Sequence, residues 1–271
     1  MRIPACPRIF GILLAFGLFL PSSILHAAEA DEAIWLNTLK PQYFGDKPIE
    51  ESTAVIELTA PYRAEDPALA PIQIAAKIPQ TPTRYIKTVT LLIDSNPVPF
   101  AGAFHFTPES GKADLAMRIR VNAYSWIRAI AETSDGKLSM HKVYVKASGG
   151  CSAPIGGDLD AIMKRLGKMK FRFEGQPAAG QPTQAQLLIS HPNITGMQMD
   201  QISRLVQPAH FIKQVKITFN GKPVLRAETD ISISADPNFR FWFVPQGPGE
   251  LKAEIMDNKD MAFTASEKVA F

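Results

Sequence analysis

The 271 residues include only two cysteines, Cys6 near the start and Cys151 near the middle. That scarcity excludes a disulfide framework and any zinc site built from paired cysteines. Histidine is also sparse, five in all, and no pair stands at the His-x-x-x-His spacing of helical zinc sites. No glycine-rich loop of the phosphate-binding kind is present. Basic residues do not cluster: 29 Lys and Arg against 26 Asp and Glu leave a net charge of +3. A nucleic-acid footprint would need a basic patch or stripe. No apolar run reaches the roughly 20 residues that span a bilayer. These absences leave no conventional enzyme site in view, and neither a metal nor a resident cofactor is expected.

What is present reads as folded, exported and β-rich. Hydrophobic residues make up 46% and charged residues 20% of the chain, the balance of a globular protein. The 22 prolines and 17 glycines exceed what long helices carry. At the N-terminus Arg2 and Arg8 flank the start of an apolar run over 9–20, broken by Pro21, Ser22 and Ser23, with Ala27 and Ala28 beyond. That is the pattern of a secretory signal, with cleavage expected after Ala27 or Ala28. Cys6 leaves with the leader. The remaining chain of about 244 residues suits one or two domains. Its single thiol, Cys151, cannot form an internal disulfide. A leftover cysteine in an exported chain points to intermolecular pairing or a reactive sulfur.

Cys151 sits in the stretch 146–157, Lys-Ala-Ser-Gly-Gly-Cys-Ser-Ala-Pro-Ile-Gly-Gly. Gly149 and Gly150 precede the thiol, and Gly156 and Gly157 close the segment. Small, turn-forming residues on both sides predict a mobile, exposed loop rather than a core position.

Before the loop, a short helix is expected over 31–39, packing Ile34, Trp35 and Leu39 on the domain and ended by Pro41. Alternating apolar residues then predict strands near 54–58, 72–78, 86–94, 100–107, 115–121, 125–132 and 138–145. Seven short strands at regular spacing argue for an antiparallel sandwich. After the loop, Asp158 caps a short helix whose Leu159, Ile162, Met163 and Leu166 share a face, and Gly167 stops it. The rest alternates again at 169–173, 185–190, 212–219, 231–234, 239–244, 251–256 and 261–265. Asn220-Gly221 marks a hairpin. Phe239, Phe241 and Phe243 fall on one face and are expected in the core, with Trp242 opposite.

Several motifs, in order, resemble the SoxY and SoxZ families of bacterial thiosulfate oxidation. The first half shares Ala64-Glu-Asp-Pro-Ala-Leu-Ala-Pro71, Asp94-Ser-Asn-Pro-Val-Pro99, Phe104 to Pro108 and Ser148-Gly-Gly-Cys151 with SoxY. The second half shares His191-Pro192, Thr195-Gly196, Pro208-Ala-His-Phe-Ile212, Phe219-Asn-Gly-Lys-Pro-Val-Leu225 and Asp257-Asn-Lys259 with SoxZ. The resemblance covers nearly all of the chain beyond the leader. It implies two immunoglobulin-like sandwiches, separate subunits in the family and fused here, as in the SoxYZ-like carriers encoded beside quinoprotein dehydrogenases. The family's cysteine lies on a C-terminal swinging arm ending Gly-Gly-Cys-Gly-Gly. Here Ser152 and Ala153 replace the last two glycines and the chain continues. An arm held at both ends has less reach than a free tail.

The expected architecture is therefore all-β: two immunoglobulin-like sandwiches joined by a glycine-rich cysteine loop and a short helix. The parts are a signal peptide at 1–27, a helical segment at 28–50, a SoxY-like sandwich at 51–147, the loop and linker helix at 148–167, and a SoxZ-like sandwich at 168–271. The expected function is a periplasmic, non-enzymatic carrier with a covalent sulfur adduct on Cys151, its arm freed by Gly149, Gly150, Gly156 and Gly157. Its expected partners are Sox-type enzymes or a quinoprotein dehydrogenase system. His191 and His210 are candidate assisting residues, although each sits among proline and apolar neighbours, where a structural histidine is the commoner case; His141 is similar. Two other readings stand beside this one: an accessory module for a quinoprotein dehydrogenase without sulfur cargo, and a redox-sensing or dimerising thiol.

Overall fold

A computed structural model of the chain describes residues 32–156, 158–200 and 203–271. The expected leader, its cleavage point and Gly157 lie outside the described residues. The fold is all-β. The first half supplies β1 (Ile49–Glu51), β2 (Ile56–Thr59), β3 (Ala70–Ala76), β4 (Ile86–Ile93), β5 (Phe100–Phe106), β6 (Leu115–Ile119), β7 (Ser125–Thr133) and β8 (Leu138–Val145). The second supplies β9 (Met169–Glu174), β10 (Thr183–Ile189), β11 (Ile212–Phe219), β12 (Lys222–Thr229), β13 (Asn238–Phe243), β14 (Gly249–Asp257) and β15 (Ala262–Val269). The period-two pattern drives this: Leu115, Met117 and Ile119 of β6 are buried, as are Phe239, Phe241 and Phe243 of β13, because alternate residues of a strand share one face.

The strands form two sheets, one in the order β1-β8-β7-β4-β5-β12-β11-β14-β15 and one in the order β2-β3-β6-β13-β10-β9. Their inner faces interlock, with the Phe104 and Phe239 rings 6.3 Å apart and those of Phe219 and Phe243 5.4 Å apart. Both sheets cross from one half of the chain to the other. β5 pairs with β12 from Phe106 opposite Leu225 to Gly102 opposite Thr229, and β6 meets β13 at Ala116 and Arg240. One hydrophobic core runs through both halves. The connector 148–167 thus joins two units whose sheets are already hydrogen-bonded edge to edge.

Four local expectations are corrected. Pro41 does not end the first helix: a π-helical turn, Trp35–Leu39, runs on into α1 (Lys40–Phe44), which has Pro41 in its first turn. Gly45 ends the helix at φ +59. Trp35 and Leu39 are buried against Leu92, Ile130 and Met140 on the outer face of the larger sheet, whereas Ile34 points outward. Residues 231–234 form no strand; Ile233 makes a single bridge to Ile119. The linker helix α2 (Leu159–Lys164) starts as expected, with the Asp158 carboxylate accepting from the Asp160 N–H at 2.9 Å. Ile162 is buried on it, but Met163 is exposed. Gly167 follows at φ +74, against the Phe263 ring where a side chain would collide.

Candidate functional site

The loop after β8 is pinned by its backbone to Val121 and Asn122. The Gly149 N–H donates to the Asn122 carbonyl at 2.8 Å and the Gly150 N–H to the Val121 carbonyl at 3.1 Å. The Cys151 N–H reaches Asn122 Oδ1 at 3.3 Å. Asn122 is itself fixed, donating from its backbone to Asn96 Oδ1 at 2.8 Å. Asn96 is buried and donates to the Arg120 carbonyl and Ser232 Oγ. The second half closes the loop from the other side. Thr195 Oγ1 donates to the Cys151 carbonyl at 2.6 Å, and Gln198 Nε2 to the Ala153 carbonyl at 2.9 Å.

Cys151 is consequently buried, at 0% exposure, which corrects the expectation of an exposed thiol. The reason lies in the glycines. At Gly150 a Cβ would fall against the Pro67 carbonyl and 2.7 Å from the Val121 oxygen. Here glycine serves close backbone approach rather than freedom. Gly149, at φ +80, and Gly156 have open space around them. Burial pushes the Cys151 thiol up to about 11, against a smaller opposing pull from Arg120. In this closed state the sulfur is a protonated thiol at neutral pH, and the thiolate is the reactive form.

The cation at the thiol is Arg120, a residue the sequence reading passed over. Lys146, nearest in sequence, instead stands over the Tyr62 ring at 4.7 Å. Arg120 is 3% exposed. Its Nη1 donates to the Gly150 carbonyl at 3.1 Å and its Nη2 to the Asn193 carbonyl at 3.4 Å. A signal was present: alternation over 115–121 turns Arg118 and Arg120 away from the core. That face is then covered by residues distant in sequence. A cavity of about 440 Å³ opens beside the loop, lined by Arg118, Arg120, Ala153, Pro154 and Ile155 among others.

The histidines come together at a separate point. His191, His210 and Asp257 are all buried, and their ligand-type atoms lie within 4.8 Å of one another. His210 Nε2 is 2.8 Å and His191 Nε2 3.5 Å from Asp257 Oδ2. His191 Nδ1 accepts from the Asn193 N–H at 3.1 Å, so in the neutral ring the proton sits on Nε2 and faces the carboxylate. That tautomer has no lone pair left at Nε2 for a metal. Burial, reinforced by His210, pushes His191 down to about 4. Burial works to raise the Asp257 carboxyl, but hydrogen bonds from His210 and the Met261 and Lys259 N–H groups outweigh it and hold it low. The trio is a polar knot bracing 191–194 against β14. Asn193, which donates its N–H to His191, meets Arg120 through its carbonyl. His141 is structural too, its Nδ1 accepting from the Leu58 N–H at 2.9 Å.

Comparison with known proteins gives two family matches. The SoxY model, a sulfur oxidation protein, matches residues 40–151 and so ends on Cys151. The SoxZ model, likewise a sulfur oxidation protein, matches residues 171–268. Among solved structures, the sulfur carrier protein SoxY from Chlorobium limicola f thiosulfatophilum is similar at 25% identity, over 44% of this chain and 100% of that chain, with a TM-score of 0.37. A superoxide reductase (neelaredoxin) from Ignicoccus hospitalis is similar at 14% identity, over 34% of this chain and 79% of that one, with a TM-score of 0.31. None of the curated proteins compared matches the chain.

Proposed function

Because the chain belongs to the SoxY and SoxZ sulfur oxidation proteins, one domain of each fused in a single polypeptide, we propose that Cys151 is its covalent carrier thiol. The protein is a periplasmic sulfur carrier and not an enzyme. The observation that carries the assignment of Cys151 is its position. It is the one cysteine among the described residues, the SoxY match ends on it, and side chains from both halves hold its loop.

The chemistry follows from the two states such a loop can take. Closed, the thiol is buried and protonated, which keeps it from reacting with stray disulfides and oxidants. Opened, it returns toward the ordinary cysteine value of about 8.5 and a useful fraction ionises. The thiolate then attacks, or is attacked through, another sulfur, and cargo passes to partners without diffusing away. The partners proposed are Sox-type periplasmic enzymes, with a quinoprotein dehydrogenase system as the setting implied by the fused arrangement. Export rests on the N-terminal signal pattern. Gly149 and Gly156, both unhindered, are the hinges of the loop.

Cys151→Ser tests the assignment in cells that depend on reduced sulfur compounds. The expected result is loss of sulfur-dependent activity with partner binding retained. Full activity of the serine variant would remove Cys151 from the chemistry.

A further inference from the structure

Basic residues that are scattered along the sequence meet on one face of the fold. Pairing sets Arg172 of β9 opposite Gln186 of β10, Gln186 opposite Arg240 of β13, and Arg240 opposite Ala116 of β6. In the parallel row, Lys170 stands opposite Leu188, and Leu188 opposite Asn238. Phe171, Phe239 and Phe241 are buried on the inner side, so the alternate residues face outward from the smaller sheet. Lys168, Lys170, Arg172 and Arg240 are exposed. Strands about 4.8 Å apart put the two arginines roughly 10 Å from each other.

This face is short of carboxylates. Among the described residues, Lys168, Lys170, Arg172 and Arg240 form no ion pair. Two grooves cross it. One is lined by Arg118, Arg165, Lys168 and Lys170, the other by Arg172 and Arg240, and the carboxylates lining them are Asp236 and Glu174. Asp236 is already held by Arg165 at 2.7 Å. The outer face of the larger sheet is balanced by contrast. There Lys216 and Lys252 flank Glu254 at 3.3 and 3.0 Å, and Arg226 lies 2.7 Å from Glu228.

We propose that the outer face of β9, β10 and β13 docks an acidic patch on a partner protein. Complementary charge steers such encounters and fixes their register. The face leads to the loop: Arg118 and Asp236 line both its first groove and the cavity bounded by Ala153, Pro154 and Ile155. At roughly 20 Å on a side, it offers about 400 Å², half of what each partner gives to a stable complex. The docking is therefore transient and salt-sensitive. A membrane surface would need apolar residues among the cations, and no exposed large hydrophobic residue lies on these strands. Gln184, Gln186 and Asn238 instead add paired donors and acceptors, which suit a polypeptide surface. The inference goes beyond the assignment of Cys151 and stands whether or not that thiol carries cargo.

Photo-crosslinking tests it on the full chain, with p-benzoylphenylalanine placed at Gln186. Irradiation in an extract of the native periplasm at about 0.1 M salt should give an adduct with a protein of net negative charge, identified by peptide mass. Raising salt to about 1 M, where the Debye length falls from about 10 to about 3 Å, should abolish it. Lys170→Glu, Arg172→Glu and Arg240→Glu together should lower the yield at least about tenfold, the lower end of what charge steering contributes. The control, Lys222→Glu, Lys259→Glu and Lys268→Glu together, changes net charge equally and should keep the yield. All six side chains are exposed, so neither set disturbs the core. No adduct, an adduct with a neutral or basic protein or a second copy of this chain, or equal yields from the two sets would overturn the proposal. So would sedimentation of wild type with phosphatidylglycerol vesicles that the first set abolishes, which would make the face a membrane contact. Cys151→Ser should keep the adduct, so failure of the carrier assignment leaves this result unchanged; loss of the adduct there would overturn a docking face independent of the thiol.

Discussion

Gly150→Ala isolates the cause of thiol burial. No side-chain motion can relieve the clash, because the added methyl meets backbone, the Pro67 carbonyl on one side and the Val121 oxygen at 2.7 Å on the other. Overpacking of this kind costs about 1–3 kcal/mol. The closed loop is held by a handful of hydrogen bonds, among them Gly150 to Val121, Thr195 to Cys151 and Gln198 to Ala153, each contributing roughly 0.5–1.5 kcal/mol net. The strain is therefore of the same order as the closure, and the loop is expected to open while the sandwich stays folded. Opening takes the thiol from about 11 toward about 8.5. At pH 8 the ionised fraction then rises from on the order of one in a thousand to about a quarter, some two hundred-fold. Alkylation of Cys151 by iodoacetamide, followed by intact mass, reads this out. The prediction is a rate at least about tenfold above wild type, approaching that two hundred-fold limit if the loop is fully released. A wild-type alkylation rate in a folded Gly150→Ala protein would refute the idea that this glycine permits burial.

Three further outcomes follow from the same packing. Thr195→Val removes the 2.6 Å bond to the Cys151 carbonyl; it should cost about 1 kcal/mol and raise Cys151 alkylation about fivefold, and no change would mean that the second half does not hold the loop. Arg128→Met leaves Asp94 buried without its main partner and should cost about 3–5 kcal/mol in urea unfolding, part of it recovered by adding Asp94→Leu; equal costs for the single and double variants would contradict the pairing. His191, held near 4 in the folded chain against about 6.5 unfolded, takes up its proton more readily when unfolded. Its contribution is present above about pH 6.5 and lost as pH falls toward 4, on the order of 3 kcal/mol. His191→Gln should flatten the fall in Tm between pH 7 and 4.5, and an unchanged slope would show that other groups dominate acid unfolding.

The strands were legible because β-alternation is a local signal. Phe239, Phe241 and Phe243 are buried together as their spacing requires. Asn220 and Gly221 take positive φ at the hairpin as their chemistry allows, and Asp158 caps its helix. The joining of the halves was not legible. The sequence of β5 reveals a strand but not that β12, more than a hundred residues on, completes its edge. The same holds at the site. Glycines around Cys151 read as slack in isolation, yet Gly150 is fixed by Pro67 and Val121, and Thr195 and Gln198 close over it. Arg120 looked like an outward residue of an alternating strand until a distant loop covered it.

Mass spectrometry of the intact protein, purified from its native compartment without reductant, tests the role of Cys151 most directly. If Cys151 carries sulfur cargo, a fraction of the protein will show mass increments that contain one or more sulfur atoms. These would vanish on reduction and be absent from Cys151→Ser. A bare thiol, unchanged after the cells are supplied with reduced sulfur compounds, would contradict it.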